Sequence, residues 1–383
     1  MSVTAAQGFR AGGVAAGLKS TGAPDVALVV NDGPSAAAAA VYTSNRCKAH
    51  PVIWSEQASR DGVVHAVVLN SGGANCYTGP QGFATTHGTA EQVGELLDVS
   101  AGDVVVCSTG LIGEQLDADR LRAGVRAAAH ALVTTGGDAA ARAIMTTDSV
   151  PKQAVAPGEG WVVGGMAKGA GMLAPALATM LVVITTDADV DAATCDAALR
   201  AATRVTFDRL DSDGCQSTND TVVLMASGAS GVRPDGKDFA TAVRAVCHDL
   251  AQQLMRDAEG SEHDITVEVV GAASEDDAVE VGRSVARSNL FKAAVFGKDP
   301  NWGRILAAVG TTSAAFDPTD LDVCMNGVQI CRGGQPGESR DLVSLESREV
   351  HVVIDLKAGP HTASVWTNDL THAYVHENSA YSS

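Results

Sequence analysis

A threonine in the middle of the chain, Thr179, carries the strongest chemical signal in the sequence. It ends the segment Lys168-Gly-Ala-Gly-Met-Leu-Ala-Pro-Ala-Leu-Ala178-Thr179 and precedes Met180 and the apolar run 181–184. A threonine hydroxyl is a weak nucleophile unless a base lies within hydrogen-bond reach. Cleavage between Ala178 and Thr179 would supply that base, because a free α-amine has a reference pKa of about 7.7–8.0. The small side chain of Ala178 leaves its carbonyl open to attack by the hydroxyl.

On spacing alone, a threonine at the entrance of an apolar strand also fits an ordinary β-forming residue. The segment, however, resembles the self-processing site of the ornithine acetyltransferase family, the glutamate N-acetyltransferases of arginine biosynthesis. In that family Lys-Gly-x-Gly-Met and then Ala-Thr-Met-Leu precede an apolar strand that ends in Thr-Asp-Ala, as at 186–188 here. The resemblance implies that Thr179 is the nucleophile and that the bond between Ala178 and Thr179 is cut.

Length and composition limit the class of protein. The 383 residues allow two core-bearing units, and 45% apolar residues with many glycines fit an α/β protein with close backbone packing. The net charge of −18 argues against a nucleic-acid partner and against an anionic membrane surface. No apolar run approaches the roughly 20 residues of a membrane helix, and the first residues do not resemble a signal peptide. Eight scattered cysteines without a Cys-x-x-Cys pair or zinc-finger spacing predict a reducing cytoplasm and no metal site.

Short apolar runs alternate with helical patterns along the chain. The predicted strands are 26–30, 63–69, 104–107, 161–164, 180–185, 221–225, 265–270, 305–309 and 350–354. The predicted helices are 117–133, 190–204, 238–258 and 276–288. The mixed order favours a layered α/β body with mixed sheets over a doubly wound parallel sheet. Two turn-rich stretches, 148–159 and 332–340, are predicted to be exposed connections.

A hydroxyl and a glycine, Thr109 and Gly110, follow the predicted strand 104–107. The glycine allows a sharp turn that leaves N–H groups free to point at a developing oxyanion, although an ordinary turn at a strand end has the same signature. The segment Ser-Thr-Gly-x-Ile-Gly matches the family closely. There the threonine hydroxyl and the glycine N–H form the oxyanion hole, so the resemblance implies this role for Thr109 and Gly110.

Two other positions before the proposed nucleophile are candidates for substrate contact. Met-Thr-Thr-Asp-Ser-x-Pro-Lys at 145–152 matches a family segment with a substrate-contacting threonine, which implies this role for Thr146, with Thr147 as the neighbouring alternative. By residue type alone, the segment also fits a hydroxyl-rich turn. Lys168 would by default be a solvated charge. Near the site, it would bind a substrate carboxylate or lower the pKa of the new amine.

Glu259 follows the predicted helix 238–258, where a carboxylate opposes the helix macrodipole at a cost of about a few tenths of a kcal/mol. In the family, the glutamate of this Glu-Gly pair contacts the amino acid substrate, and a cationic ornithine side chain needs such an anion. Asn378 and Ser383 lie in the last segment, Asn-x-x-Tyr-x-Ser. Terminal residues are usually frayed, but in the family this segment folds back and these two residues hold substrate.

Further family motifs cover nearly the whole chain, including the distinctive Gly-Lys-Asp-Pro-Asn-Trp-Gly-Arg-Ile at 297–305. The sequence departs from the family at 214–216, where Gly-Cys-Gln stands in place of the more frequent Asp-Thr. The resemblance implies a DmpA/ArgJ-like fold of two interlocked lobes, self-cleaved into fragments 1–178 and 179–383 that assemble as a heterotetramer. The implied reaction carries acetyl from N-acetylornithine to glutamate without cofactor or metal. The motifs leave open whether acetyl-CoA is also a donor.

Three alternatives remain at this stage. The pattern Gly-x-Gly-x-x-Ala at 169–174 is typical of a dinucleotide-binding unit, but too few residues follow it for a crossover helix, and Pro175 lies among them. An amidase or aminopeptidase with an N-terminal nucleophile would use the same Thr179 and pass the acyl group to water. A non-catalytic α/β binding protein would keep the chain intact, with Thr179 as a packing residue.

Overall fold

The computed structural model describes residues 2–174 and 180–380. The predicted residues Ala178, Thr179 and Ser383 lie outside this part of the chain. The strands are β1 (Phe9–Val14), β2 (Val26–Asn31), β3 (Ala37–Tyr42), β4 (Ala66–Asn70), β5 (Val104–Ser108), β6 (Lys152–Pro157), β7 (Val162–Lys168), β8 (Leu181–Thr186), β9 (Thr221–Ala226), β10 (Asp264–Ala272), β11 (Asp322–Met325), β12 (Val328–Arg332), β13 (Gln335–Pro336), β14 (Glu349–Asp355) and β15 (His361–Asn368).

The helices are α1 (His50–Ala58), α2 (Gly79–Leu97), α3 (Ala118–His130), α4 (Gly137–Ala143), α5 (Ala192–Arg204), α6 (Gly236–Arg256), α7 (Glu275–Ala286), α8 (Asn289–Phe296), α9 (Trp302–Val309) and α10 (His372–Ala380). None of those within the described ranges has the length and apolar character needed to cross a membrane.

Two sheets lie face to face and form the body of the molecule. One has the strand order β1-β2-β4-β5 and the other β3-β9-β8-β7-β6. A single apolar cluster joins their inner faces, with Val29 and Val67 from the first sheet and Val183 and Val223 from the second. Helices α2 and α3 cover the outer face of the first sheet, and α5 and α6 cover that of the second. The prediction of a layered α/β body with mixed sheets is therefore confirmed.

Strands β2, β4, β5, β8 and β9 have near-continuous apolar sequences because both of their faces are buried. Every residue of β2, β4, β5, β8 and β9 is buried. In β8, for example, Val183 faces the neighbouring sheet, whereas Val182 and Ile184 face the helices. This double burial explains why the sequence pattern predicted these strands correctly.

A third sheet, of order β13-β12-β11-β14-β10-β15, has its own core with helices α7, α8 and α9. Strands β10 and β14 run parallel, and the other pairs are antiparallel. The predicted helices 117–133, 190–204, 238–258 and 276–288 are present as α3, α5, α6 and α7. Each begins with a side-chain cap: Asp117, Asp191, Asp235 and Ser274 accept hydrogen bonds from backbone N–H groups.

The predicted strand 305–309 is wrong, since these residues belong to helix α9. The buried residues Ile305, Ala308 and Val309 have helical spacing, and the side chain of Asn301 caps the helix by accepting from the Arg304 N–H at 3.2 Å. A short apolar run cannot be assigned to a helix or a strand by periodicity alone. Here the Asn301 cap is the feature that indicates a helix.

The predicted exposed connection 148–159 is also wrong. It contains β6, which pairs antiparallel with β7 at the sheet edge, and both Asp148 and Lys152 are buried. The second predicted connection, 332–340, does lie at the surface: it starts at the last residue of β12 and contains the two-residue strand β13. Helix α2 was not predicted, because its sequence is rich in glycine and threonine, which are weak helix formers.

Strands from both sides of residue 179 share the five-stranded sheet. Strands β3, β6 and β7 precede that residue, whereas β8 and β9 follow it. β7 runs antiparallel to β8, and β9 runs parallel to β8. The end of β7 and the starts of β8 and β9 therefore lie side by side along one edge of the sheet, the edge that is formed by strand ends. This edge carries Lys168, Met180 and Asp220.

Candidate active site

A cavity of about 560 Å³, including space open to solvent, lies at this edge. All of the predicted site residues within the described ranges line it, namely Thr109, Gly110, Thr146, Lys168, Glu259 and Asn378. These residues come from five separate segments of the chain, so the fold brings together side chains that are distant in sequence. Ala174 and Met180, the described residues on either side of the proposed nucleophile, are both buried.

Thr109 and Lys168 form a buried hydrogen-bonded pair in the cavity wall. Thr109 follows β5 and is 2% exposed, and Lys168 ends β7 and is 1% exposed. The Lys168 Nζ donates to Thr109 Oγ1 at 3.2 Å. Since an ammonium group has no acceptor, the hydroxyl hydrogen of Thr109 remains available for another acceptor. Lys168 is therefore not the solvated surface charge that its residue type would suggest.

Gly110 adopts a backbone conformation that favours glycine, with φ of +129°. A Cβ atom at this position would lie 2.9 Å from both the nitrogen and the Cα of Gly73. Strand-like pairing between Gly73 and Thr109 and the hydrogen bond from the Thr109 N–H to the Asn70 carbonyl at 3.0 Å hold the turn in place. The turn after β5 is thus closely packed and leaves no room for a larger residue.

A network of buried charges surrounds Lys168. The carboxylate of Asp148 accepts from Lys152 Nζ at 2.6 Å and from the Gly169 N–H at 2.6 Å, and Lys152 also binds Asp257 at 2.5 Å. Burial alone would raise the pKa of Asp148, but Lys168 and Lys152 outweigh burial and bring it to about 2. Burial lowers the pKa of Lys168, although Asp148, Asp220 and Glu259 oppose this effect. The carboxylates of Asp148 and Glu259 thus oppose the loss of charge from Lys168 next to the cavity.

Glu259 lies three residues beyond the end of α6 and lines the cavity. Its carboxylate accepts from the Thr147 hydroxyl at 2.8 Å and from the Asn378 side-chain amide at 3.0 Å. Gly171 lies so close that a Cβ there would come within 2.7 Å of both carboxylate oxygens. An anionic side chain is thus held by neutral donors, which leaves its charge free to attract a cation.

The two neighbouring threonines, Thr146 and Thr147, make different contacts. The hydroxyl of Thr147 contacts Glu259, while the backbone N–H of Thr146 donates to the Asp148 carboxylate at 2.9 Å. Both residues line the cavity, so the geometry leaves both as candidates for substrate contact. Asn378 lies on helix α10, which ends the described part of the chain, and this helix brings its amide to the cavity.

Several residues at the site were not predicted. Asn219 donates from its side-chain amide to the Ser108 carbonyl at 2.8 Å and to the Ala74 carbonyl at 2.7 Å, which fixes the backbone just before Thr109. Asp148 and Lys152 lie in a stretch that the sequence predicts to be exposed, and no role is predicted for Asp220. Their role depends on burial and on partners far away in sequence, and no local pattern indicates either.

The dinucleotide-binding alternative is excluded by topology. Strands β7 and β8, which flank 169–174, pair antiparallel. A dinucleotide-binding unit requires parallel strands joined by a crossover helix, and direct antiparallel pairing of the two flanking strands is incompatible with that arrangement.

The cavity combines three chemical elements. A buried hydroxyl and a tightly turned backbone segment face it from β5, a buried cation lies at the end of β7, and a carboxylate faces it from the loop after α6. Such a set is suited to a small zwitterionic ligand whose reacting carbonyl lies against the hydroxyl.

Comparison with known proteins points to one family. The ArgJ family matches residues 10–383. The arginine biosynthesis bifunctional protein ArgJ of Streptomyces avermitilis is 66% identical over 383 residues, with complete coverage of both chains, and that of Thermobifida fusca is 61% identical over 382 residues, again with complete coverage. The solved structure of ornithine acetyltransferase complexed with ornithine from Mycobacterium tuberculosis is 54% identical, has a TM-score of 0.45, and covers 47% of this chain and 96% of its own. A match over almost the whole length, with relatives this similar from end to end, means that the chain belongs to the ArgJ family.

Proposed function

We propose that the chain is a glutamate N-acetyltransferase that cuts itself between Ala178 and Thr179 and then transfers acetyl from N-acetylornithine to glutamate. The observation that carries this proposal is that Thr109, Lys168 and Glu259 line one cavity. The cavity lies at the sheet edge where Met180 precedes the first residue of β8. The names of full-length relatives as arginine biosynthesis proteins support the same pathway.

The first step prepares the nucleophile. The Thr179 hydroxyl oxygen attacks the carbonyl carbon of Ala178, the carbon–nitrogen bond breaks, and the hydroxyl proton passes to the nitrogen that leaves. Water then hydrolyses the resulting ester, which leaves a carboxylate on Ala178 and a free amine on Thr179. That amine serves as the base for its own hydroxyl. The two fragments would stay together, because strands from both share the five-stranded sheet.

The second step is a two-stage acyl transfer. The Thr179 oxygen attacks the acetyl carbonyl of N-acetylornithine, the bond to the ornithine nitrogen breaks, and the Thr179 ammonium protonates the amine that leaves. The amine of glutamate then attacks the acetyl ester, forms N-acetylglutamate and returns the threonine hydroxyl. The Thr109 hydroxyl and the Gly110 N–H stabilise the negative oxygen in both stages. An amide is exchanged for an amide, so no cofactor or metal is needed.

The charges of the cavity match the two amino acids. Glu259 attracts the cationic side chain of ornithine, and Lys168 attracts a substrate carboxylate and favours the neutral form of the Thr179 amine. Thr146, Asn378 and Ser383 complete the substrate contacts. Because the relatives are named bifunctional, acetyl-CoA is the second acetyl donor to test. We further propose assembly of the fragments as a heterotetramer.

Mass spectrometry of the purified protein tests the cleavage. We expect two fragments that separate at Ala178/Thr179, and we expect the Thr179→Ala variant to remain a single chain without acetyltransferase activity. Thr185→Ala is a matched control: it removes a buried threonine hydroxyl near the other end of β8. A single uncut chain with full activity would refute the proposal.

Steady-state kinetics distinguish acetyl transfer from hydrolysis. We expect parallel initial-rate lines with N-acetylornithine and glutamate as varied substrates, as required for a covalent acetyl-enzyme. Acetylated enzyme mixed with glutamate should yield N-acetylglutamate. Intersecting lines would exclude this mechanism, and release of acetate alone would favour an amidase with an N-terminal nucleophile.

A further inference from the structure

A carboxyl group with no role in the steps above lies directly beside the proposed cleavage site. Asp220 immediately precedes β9, is 0% exposed, and accepts a hydrogen bond at Oδ1 from the backbone N–H of Met180 at 3.0 Å. The register explains this contact, because Leu181 of β8 pairs with Thr221 of β9 and the preceding residues are therefore neighbours. The Met180 carbonyl accepts from the Thr221 N–H at 3.1 Å, so Met180 is held at both of its backbone polar groups.

The surroundings of Asp220 favour an uncharged carboxyl group. Burial raises its pKa well above the usual range, although the Met180 N–H and the Lys168 charge act in the opposite direction. The Ser217 and Thr43 side chains also favour the charged form of this carboxyl group.

The hydrogen-bonded nitrogen of Met180 is covalently attached to the carbonyl carbon of Thr179. A hydrogen bond at this nitrogen therefore constrains the backbone on the C-terminal side of the proposed cleavage site. An intramolecular attack depends strongly on such orientation, since small errors in the approach of the reacting atoms cost much of the rate.

We propose that Asp220 is a positioning residue for self-cleavage, whose carboxyl group holds the backbone N–H of Met180 on the C-terminal side of the cleaved bond. This inference rests on the proposed cleavage and adds to it a residue that acts through the backbone rather than on the reacting atoms. The required property is the acceptor at Oδ1, which an asparagine side chain also provides and a leucine side chain does not.

The test follows cleavage of newly made full-length chain over time by gel electrophoresis after cell-free synthesis. We expect Asp220→Asn to be cut within about threefold of the parent rate, because its amide oxygen accepts the same hydrogen bond. Asp220→Leu should be cut roughly tenfold more slowly or worse, since the Met180 N–H loses its partner. Asp220→Ser, whose side chain is too short to reach that nitrogen, should also be cut slowly. It replaces the leucine variant in the test if that variant does not fold.

Asp187 provides a matched control at the other end of β8. It is buried and accepts from the Val162 N–H at 2.8 Å and from the Gln7 N–H at 3.1 Å. We expect Asp187→Leu to lower the melting temperature at least as much as Asp220→Leu, yet to be cut at nearly the parent rate.

Four results would overturn the role of Asp220. They are parent-rate cleavage in the folded leucine or serine variant, an asparagine variant as slow as leucine, equal slowing in Asp187→Leu, and a parent chain that is never cut. Only the last of these also refutes the proposed function, so the two failures can be told apart.

Discussion

Lys168 and Thr109, 59 residues apart in the sequence, meet through a hydrogen bond of 3.2 Å between Nζ and Oγ1. Both side chains are buried, so this contact persists without competition from water. The cation orients the hydroxyl oxygen and leaves its hydrogen free. An oxyanion that develops in the cavity would meet a donor already in position, which is the arrangement that lowers a transition state most effectively.

Removal of the Thr109 hydroxyl should therefore reduce turnover. We expect Thr109→Val to lower kcat by about a hundredfold or more with little change in KM, because the lost donor acts mainly in the transition state. Thr109→Ser should retain most of the activity. Thr185→Val is a suitable control, since it loses a buried hydroxyl that donates to the Val3 carbonyl at 2.7 Å at the far end of β8. A Thr109→Val enzyme with unchanged kcat would exclude Thr109 from the oxyanion hole.

Glu259 should determine the affinity for a cationic substrate. Glu259→Gln keeps the size of the side chain and removes its charge, so we expect KM for N-acetylornithine to rise roughly 10- to 100-fold, the usual worth of a hydrogen bond to a charged group. Initial-rate measurements with varied donor test this. Glu262→Gln, an exposed carboxylate three residues further on, should leave KM unchanged. Equal KM values in the two variants would contradict the assignment.

Asp148 should make stability depend on acid pH. Its pKa in the folded protein, about 2, lies below the ordinary value of 3.8, so its charge stabilises the folded state above about pH 4. That contribution, about 2 kcal/mol, is lost as the pH falls from about 4 to about 2. Asp148→Asn should lower the free energy of unfolding by about 3 kcal/mol at pH 7, because the buried Lys152 and Lys168 lose a counter-charge.

Urea unfolding of parent and variant between pH 7 and pH 2.5 measures this difference, which should narrow below pH 4. Asp138→Asn is the control, because Asp138 forms an exposed ion pair with Arg142 and should contribute less than about 1 kcal/mol. A difference that stays constant down to pH 2.5 would mean that the charge of Asp148 is not its source.

The corrected helix α9 can be tested through its cap. Asn301→Ala removes the side-chain acceptor for the Arg304 N–H and should lower the free energy of unfolding by about 1 kcal/mol. Asn289→Ala, an exposed position in the first turn of α8, should change it by less than about 0.5 kcal/mol. If the two variants unfold alike, the cap does not support the helix.

Strands with two buried faces and helices with acidic or hydroxyl caps were predictable, because burial and capping leave a trace within a few residues. Strand β3 was missed since its sequence is mostly alanine, which favours helix. The run 305–309 is ambiguous because five apolar residues fit either a strand or a helix, and only the Asn301 cap distinguishes the two. Edge strand β6, in which only Lys152 and Ala154 are buried, gives no strand pattern because of its polar and turn-forming residues.

The sequence by itself determined the local chemistry of this protein: a threonine preceded by a small residue, a Thr-Gly turn after a strand, and the family to which these motifs belong. Only the tertiary structure decided that Lys168 contacts Thr109 and that Asp148 forms a buried ion pair with Lys152. It also decided that Asp220 accepts a hydrogen bond from the Met180 N–H. The physical reason is range. Periodicity and capping act over one or two turns of chain, whereas the charge state and the partners of a buried group depend on strand register and on packing between distant segments.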